Sequence, residues 1–375
     1  LYLTPSVRLL GARRSLLSLV THLDPSRWRP VVCAQFEGDL SEALSERGIP
    51  FEVVKLGWWR KAKYFLWRPF AIARLTALIR RLGADMVHCN EIYPNPYAVR
   101  AVANLRAESG PRVPVLTHMR LSITPRMIHN YDLARADRIV VPSKRAGEDF
   151  DIWPDKEARV KVIHNGVDLS EFRRVRARAE ARRQIGLPPE GTLMMALGHV
   201  GPRKGGDTIL HAMRSIAGEH PDVRLVFVGN PHRGQEKYAR EVRRLSTVPE
   251  LAGRVHFLPF DRHVLPYYEA ADINLLVSRE EGFGRTLIEA AAMGVPSIGS
   301  RVGGIPEIVE DEITGLLVEP EDREGLARAM GRLLASPALR ESMGEAAFRR
   351  VAQHFSIKSH AEKIMDLYDE LQVKV

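Results

Sequence analysis

Short apolar runs rich in Val, Ile, Leu and Phe recur along the chain, and the stretches between them return to an apolar residue every third or fourth position. In the first half the runs fall at Leu1–Thr4, Pro30–Gln35, Phe51–Lys55, Asp85–Cys89, Val113–His118, Arg138–Val141 and Val160–Ile163. In the second half they fall at Thr192–Leu197, Val223–Val228, Arg254–Leu258, Asp272–Val277, Pro296–Ile298 and Leu316–Val318. The runs predict strands and the intervening stretches predict helices, the alternation of an α/β fold built on mostly parallel sheets. Ligands on such sheets bind outside the carboxyl ends of the strands. In the first half that directs attention to the loops after Thr4, Cys89 and His118.

With 375 residues, 45% of them hydrophobic, the chain can bury two cores, and two domains of about 150 to 200 residues are expected. Its two cysteines, Cys33 and Cys89, each close a predicted strand and read as small core residues in a reducing compartment. Their spacing suggests neither a disulfide framework nor a zinc site. No apolar run approaches about 18 residues and no basic-then-apolar segment opens the sequence, so a cytoplasmic, unspanning chain is expected.

The net charge of +9 is unevenly placed, with 26 Lys and Arg against 16 Asp and Glu over residues 1–165 but 29 against 30 over 166–375. A basic first half suits nucleic acid, anionic lipid or an acidic acceptor. No RNA-binding aromatic signature or helix-turn-helix spacing accompanies it, so no nucleic-acid partner is expected.

The densest chemistry lies between Ser278 and Pro306. A buried strand over Asp272–Val277 leads through the turn Glu281-Gly282-Phe283-Gly284 into a helix predicted from Arg285 to Met293. A helix N-terminus carries unpaired N–H groups and about half a positive charge, so a glycine turn feeding one is a ready phosphate site. Glu281 stands in the turn and Glu289 lies about one and a half turns into the helix, which leaves a hydroxyl acceptor on either side of such a phosphate. Spacing alone equally allows a tight turn carrying two solvated glutamates.

The pattern Glu281-Gly-Phe-Gly-x4-Glu289, with Gly294-Val-Pro296 and Gly303-Gly304-Ile-Pro306-Glu307 following, closely resembles the donor site of the family-four retaining glycosyltransferases of the GT-B fold. The resemblance implies two Rossmann-like parallel-sheet domains facing a cleft. It assigns Glu281 to hydroxyls of a donor sugar and Glu289 to the ribose. The backbone amides of Gly284, Arg285, Thr286 and Leu287 fall to the diphosphate, beside Gly282 and Phe283.

Val160-Lys-Val-Ile-His164-Asn165-Gly166 looks like the family's crossing between domains, and the segment from Phe355 looks like its final helix. The implied division is 1–165 for the acceptor domain, 166–354 for the donor domain and 355–375 for a helix returning to the first. The stretch Gly198-His199-Val-Gly201-Pro-Arg203-Lys204 resembles the family's phosphate loop. Lys204 matches the expected cation, but His199 stands where the family has Arg, removing a permanent bidentate charge for which Arg203 could compensate.

In the first domain Leu10-Gly11 takes the place of the family's Gly-Gly loop, so close approach to the diphosphate is half supported. Arg13 and Arg14 suit an anionic acceptor or a solvated helix face. His118 ends a strand where the family places a histidine beside the donor sugar, and Asn90 is a weaker candidate of the same kind. The implied catalytic set is His118, Glu281 and Lys204. The charged stretch from Arg173 to Arg183 is expected to be a solvated helical face.

Residues 53–84 hold eight Lys or Arg and no acidic residue, interleaved with Trp58, Trp59, Trp67, Tyr64, Phe65 and Phe70. Rings and cations so mixed suit an anionic membrane surface contacted through residues 58–70, or else an ordinary helix covering the sheet.

The expected activity is hexosyl transfer from a nucleotide diphosphate sugar, UDP-sugar or GDP-mannose, to a hydroxyl of a glycan or lipid-linked acceptor. Bacterial envelope or exopolysaccharide synthesis on the inner face of the plasma membrane is the implied setting. Neither a cofactor nor a metal is expected. A UDP-sugar epimerase of the same fold and a non-catalytic sugar-nucleotide-binding partner are the alternatives. A dehydrogenase is disfavoured, because no Gly-x-Gly-x-x-Gly closes the first strand with an acidic residue at the proper distance beyond it.

Overall fold

A computed structural model describes residues 1–9, 11–108, 112–120 and 123–373. The chain divides into two compact units, one of Leu1–Gly166 with Ile357–Val375 and one of Val167–Ser356. The divisions fall one and two residues beyond the expected ends at 165 and 354.

The first unit holds a seven-stranded sheet of β1 (Tyr2–Leu3), β2 (Val32–Ala34), β3 (Phe51–Val53), β4 (Val87–Cys89), β5 (Val115–His118), β6 (Arg138–Val141) and β7 (Val160–Val162). Their spatial order is β3-β2-β1-β4-β5-β6-β7 and every pairing is parallel. Alternation along each strand divides its side chains between two cores. Leu3, Cys33, Val115, Ile139 and Val141 enter one, while Tyr2, Val32, Ala34, Leu116 and Val140 enter the other. Both cysteine thiols are buried there, and burial pushes each up to about 12.

The final helix, Ile357–Val373, supplies Ala361, Ile364, Met365 and Tyr368 to the second of these cores, against Leu16, Leu19 and Val20 of the helix Gly11–Thr21. Arg27 fastens the same helix from outside, bonding Glu362 at 2.6 Å, Asp366 at 3.0 Å and Asp369 at 2.5 Å.

The second unit holds a six-stranded parallel sheet of β8 (Thr192–Leu197), β9 (Val223–Val228), β10 (Val255–Leu258), β11 (Ile273–Leu276), β12 (Ser297–Ser300) and β13 (Gly315–Val318). The order is β10-β9-β8-β11-β12-β13. Leu193, Met195, Val226 and Val228 face one core, and Met194, Leu225 and Phe227 face the other. In each sheet the chain winds outward in one direction and then returns to wind in the other. The reversal opens a crevice between β1 and β4 in the first sheet and between β8 and β11 in the second.

The arginine-rich stretch departs from expectation. Its helix spans only Arg178–Gln184, and Arg182 is buried, donating to the carbonyls of Ala270, Pro189 and Gly191 and pairing with Asp272. Arg174 and Arg176 bind the backbone and carboxylate of the fully buried Glu269. A buried carboxylate requires a paired cation, which Arg176 supplies to Glu269, while Arg173, Arg174, Arg178 and Arg183 stay exposed.

Candidate functional site

The loops that leave β8 and β11 lie side by side at the reversal point of the second sheet. After β8 the chain runs from Gly198 through a short 3-10 turn, Pro202–Lys204, into the helix Gly206–Ile216. After β11 it runs through Ser278–Gly284 into the helix Arg285–Ala292. The Arg279 amide donates to the Arg203 carbonyl at 2.8 Å, and the Arg279 guanidinium binds Asp207 at 2.8 Å and Glu321 at 2.7 Å. Gly205, at φ 63°, passes so close to β11 that a Cβ would stand 2.2 Å from the Val277 carbonyl. Only glycine permits that approach.

Lys204 and Glu281 meet across the two loops, Nζ to Oε2 at 2.5 Å, with the Ser278 hydroxyl on the same oxygen at 3.3 Å and Arg203 at 4.0 Å from the other. Burial raises the Glu281 carboxyl, but the Lys204 and Arg203 charges and the bonds from Lys204 and Ser278 outweigh it. The carboxyl is held below its usual value and stays ionised. Gly303 supports the turn from beneath. Its φ is +55° and a Cβ there would overlap the Glu281 carbonyl at 1.5 Å.

Glu289 is buried on the helix Arg285–Ala292, where Arg285 bonds Oε1 at 2.8 Å and the Tyr268 hydroxyl donates to Oε2 at 2.7 Å. Its carboxylate is thus oriented before any ligand arrives, the opposite of a solvated glutamate. The Thr286 hydroxyl, in the first turn of the same helix, is buried without a hydrogen-bond partner among the described residues. The side chains of Phe283 and Leu287 belong to the core, and Gly284 stands at φ 106° against Leu287 and Leu276. The Leu287 amide donates to the Gly284 carbonyl at 2.9 Å. Among the described residues no group of three or more His, Cys, Asp or Glu is placed to hold a metal ion.

His199 leaves Gly198 (φ 144°) and lies against His232 of the loop after β9, ring centroids 4.1 Å apart. Burial, then the charges of His232, Lys204 and Arg203, lower its imidazole to about 4.

In the first unit Gly11 opens the helix Gly11–Thr21 and nothing lies within 4 Å of where its Cβ would be. Leu10, the other half of that loop, lies outside the described residues. Arg13 is not on a solvated face, since it pairs with the buried Glu91 at 2.9 Å. Asn90 is fully buried, donating to the Ala12 carbonyl at 3.1 Å and accepting from Arg120 at 2.7 Å. Arg120 also reaches Asn165 at 2.6 Å.

His118 closes β5 as expected, but its ring is 0% exposed, between His88 at 5.6 Å and His360 at 5.9 Å. Among the described residues neither ring nitrogen has a hydrogen-bond partner, and burial with the Arg120 charge holds the imidazole well below its usual value, hence neutral. The structure therefore encloses His118 where the sequence reading set it beside a sugar.

Two family models match consecutive parts of the chain, glycosyltransferase family 4 over residues 10–171 and glycosyl transferases group 1 over 177–350. The chain belongs to the family-four glycosyltransferases. The D-inositol 3-phosphate glycosyltransferase of Salinispora tropica is 33% identical over 250 residues, 64% of this chain and 52% of the relative. That of Saccharomonospora viridis is 32% identical over 248 residues, 64% and 56%. The matches thus span about half the length of these curated relatives.

Among solved glycosyltransferase-like folds, HepE of Anabaena in complex with UDP-glucose superposes with a TM-score of 0.84 at 22% identity, covering 98% of both chains. Sucrose-phosphate synthase of Thermosynechococcus elongatus gives 0.81 at 24% identity, covering 100% of this chain and 99% of that one. These likenesses show the fold, two Rossmann-like parallel-sheet domains of the GT-B type.

Proposed function

We propose that this family-four glycosyltransferase is a retaining, metal-independent hexosyltransferase. It takes a hexosyl unit from a nucleotide diphosphate sugar, UDP-linked by preference, and passes it to a hydroxyl of a glycan or lipid-linked acceptor in envelope or exopolysaccharide synthesis. The observation that carries this reading is the Lys204–Glu281 pair between two glycine turns at the reversal point of the donor sheet. In the free protein the pair neutralises itself. An arriving diphosphate offers Lys204 a stronger partner, which frees Glu281 to accept hydrogen bonds from sugar hydroxyls.

In the transfer step the bond from the anomeric carbon to the diphosphate oxygen breaks and a bond from that carbon to the acceptor oxygen forms on the same face. The acceptor proton passes to the departing phosphate. Lys204, Arg203 and the N-terminus of the helix Arg285–Ala292 stabilise the charge that develops on the leaving group. His118 takes no part in this chemistry, because its ring is enclosed.

Two names among the similar proteins support the donor and widen the acceptor. HepE was solved with UDP and UDP-glucose, and the curated relatives are named for a phosphorylated cyclitol. Thermal unfolding against UDP, GDP, ADP and their sugars tests the reading, with Glu289→Ala as control. A ligand at a hundred times its dissociation constant adds about 2.7 kcal/mol. Stabilisation of the native chain but not of the variant is the expected result. No stabilisation by any nucleotide refutes the donor site.

A membrane contact is proposed for the first unit, through part of the 58–70 stretch that the sequence suggested. Trp59 and Trp67 turn inward, Trp59 packing on Tyr97 and Trp67 bonding the Lys55 carbonyl. Phe65, Leu66 and Phe70 point outward instead, 63%, 83% and 64% exposed, with Lys61, Lys63 and Arg74 exposed around them. Apolar tips ringed by cations suit the headgroup region of an anionic bilayer. Sedimentation with phosphatidylglycerol vesicles should be strong, and should be lost in Phe65→Ser/Leu66→Ser/Phe70→Ser. Equal binding by the triple variant refutes this contact.

A further inference from the structure

The loops after β8 and β9 are pressed together more tightly than either requires alone. A Cβ on Gly229 would lie 1.9 Å from the Gly198 carbonyl, and one on Gly201 would lie 2.1 Å from Oε1 of Gln235. The Val200 amide bonds the Asn230 carbonyl at 3.2 Å, and the Gln235 amide bonds that of His232 at 2.9 Å. This close seam sets the ring of His199 against that of His232, at a tilt of 31°. Oε1 of Gln235 is buried beside them without a partner among the described residues.

We propose that His199 and His232 form a proton-accepting grip on the donor diphosphate, so that donor binding draws a proton onto the pair and His232 tunes where in pH this happens. The proposal rests on the donor-site reading above and adds to it a residue, His232, and a linkage to protons.

The physical argument follows from the surroundings of His199. Three of the groups facing it, His232, Lys204 and Arg203, disfavour its charged form, and Glu281 alone favours it. In the free protein the ring is neutral near neutral pH, its imidazole lowered to about 4 chiefly by burial. A diphosphate placed against this loop reverses the balance, since it adds at least two negative charges beside the ring and engages Lys204. The bound-state value therefore lies above the free one. Donor affinity is then full at low pH, weakens as pH rises from the free to the bound value, and is flat above both. The limiting slope is a tenfold loss per pH unit, the signature of one proton.

Isothermal titration calorimetry with UDP-glucose and with GDP-mannose, between about pH 4 and about pH 8, tests this. Both probes are diphosphate diesters, so neither titrates in that interval and the slope belongs to the protein. For the native chain Kd should rise with pH toward the tenfold limit, with proton uptake seen as a dependence of the binding heat on the buffer. His199→Arg should bind tighter at neutral pH and lose the slope. His232→Ala should keep the slope but move its lower bend to higher pH, because one of the charges that opposes protonation is gone.

Binding of a sugar nucleotide with no pH dependence overturns the proposal and leaves the donor site intact. An unmoved bend in His232→Ala overturns the pairing. Binding of neither probe at any pH overturns both this proposal and the donor reading beneath it.

Discussion

Replacing Lys204 by Met removes the nearest cation from Glu281 and leaves its carboxylate with the Ser278 hydroxyl at 3.3 Å and the Arg203 guanidinium at 4.0 Å. Both members of the pair are mostly buried, with side chains 19% and 13% exposed, so the loss is that of a desolvated pair broken on one side. Such breaks cost about 3 to 5 kcal/mol, and the surviving partners place this one near the lower end. The donor unit spans residues 167–356. For a unit of that size each kcal/mol moves the midpoint by about 2 to 4 °C, which gives a fall of about 6 to 12 °C.

The pH dependence separates this cause from a simple packing defect. In the native chain the Glu281 carboxyl is held below its usual value, so its contribution is present above the unfolded value and is lost as pH falls through the folded one. In Lys204→Met burial is opposed by Arg203 and Ser278 but no longer by Lys204, so the carboxyl rises from its native value. The penalty is then greatest at neutral pH and is relieved in acid. Differential scanning calorimetry at about pH 7 and about pH 4 should show the gap between native and variant shrinking at the lower pH. Lys204→Met/Glu281→Gln should recover most of the loss at neutral pH. An equal gap at both pH values, or a double variant no better than the single, refutes the reasoning.

Glu281→Ala should lower turnover about a hundredfold or more while the nucleotide diphosphate alone still binds, as measured by product release and by calorimetry; near-normal turnover removes Glu281 from the sugar site. Gly303→Ala should displace the Glu281 turn, because its Cβ falls 1.5 Å from the Glu281 carbonyl at a φ of +55°. A loss of about 1 to 3 kcal/mol in urea unfolding together with weakened donor binding is expected, and native donor affinity in this variant counts against the support role. Turnover should survive dialysis against a chelator, since Lys204 and Arg203 supply the charge that a divalent ion would otherwise bring; abolition restored by added magnesium overturns metal independence.

The strands were legible because each is a short apolar run whose alternation must satisfy a core on both faces. Thr192–Leu197, Val223–Val228 and Arg138–Val141 agree with the structure residue for residue. Arg182 and Arg13 were misread for one shared reason. The sequence shows a charge and its neighbours along the chain, but the partner carboxylates, Asp272 and Glu91, come from distant positions and are buried by the fold. His232 gave no signal at all, because its meaning depends on a loop thirty-odd residues from His199.

What the sequence determined by itself is local or periodic: two α/β units, a glycine turn entering a helix, and Glu281 and Glu289 at either side of that entry. Spacing of that kind survives folding, since strand and helix geometry fix it. What only the tertiary structure decided is which groups meet. It set Lys204 against Glu281, turned Tyr268 onto Glu289, closed His88 and His360 over His118, and sent Phe65, Leu66 and Phe70 outward while Trp59 and Trp67 turned inward. The order of the strands brings the β8 and β11 loops together, and that order follows from which apolar faces can be buried at once, a property of the whole chain and not of any stretch within it.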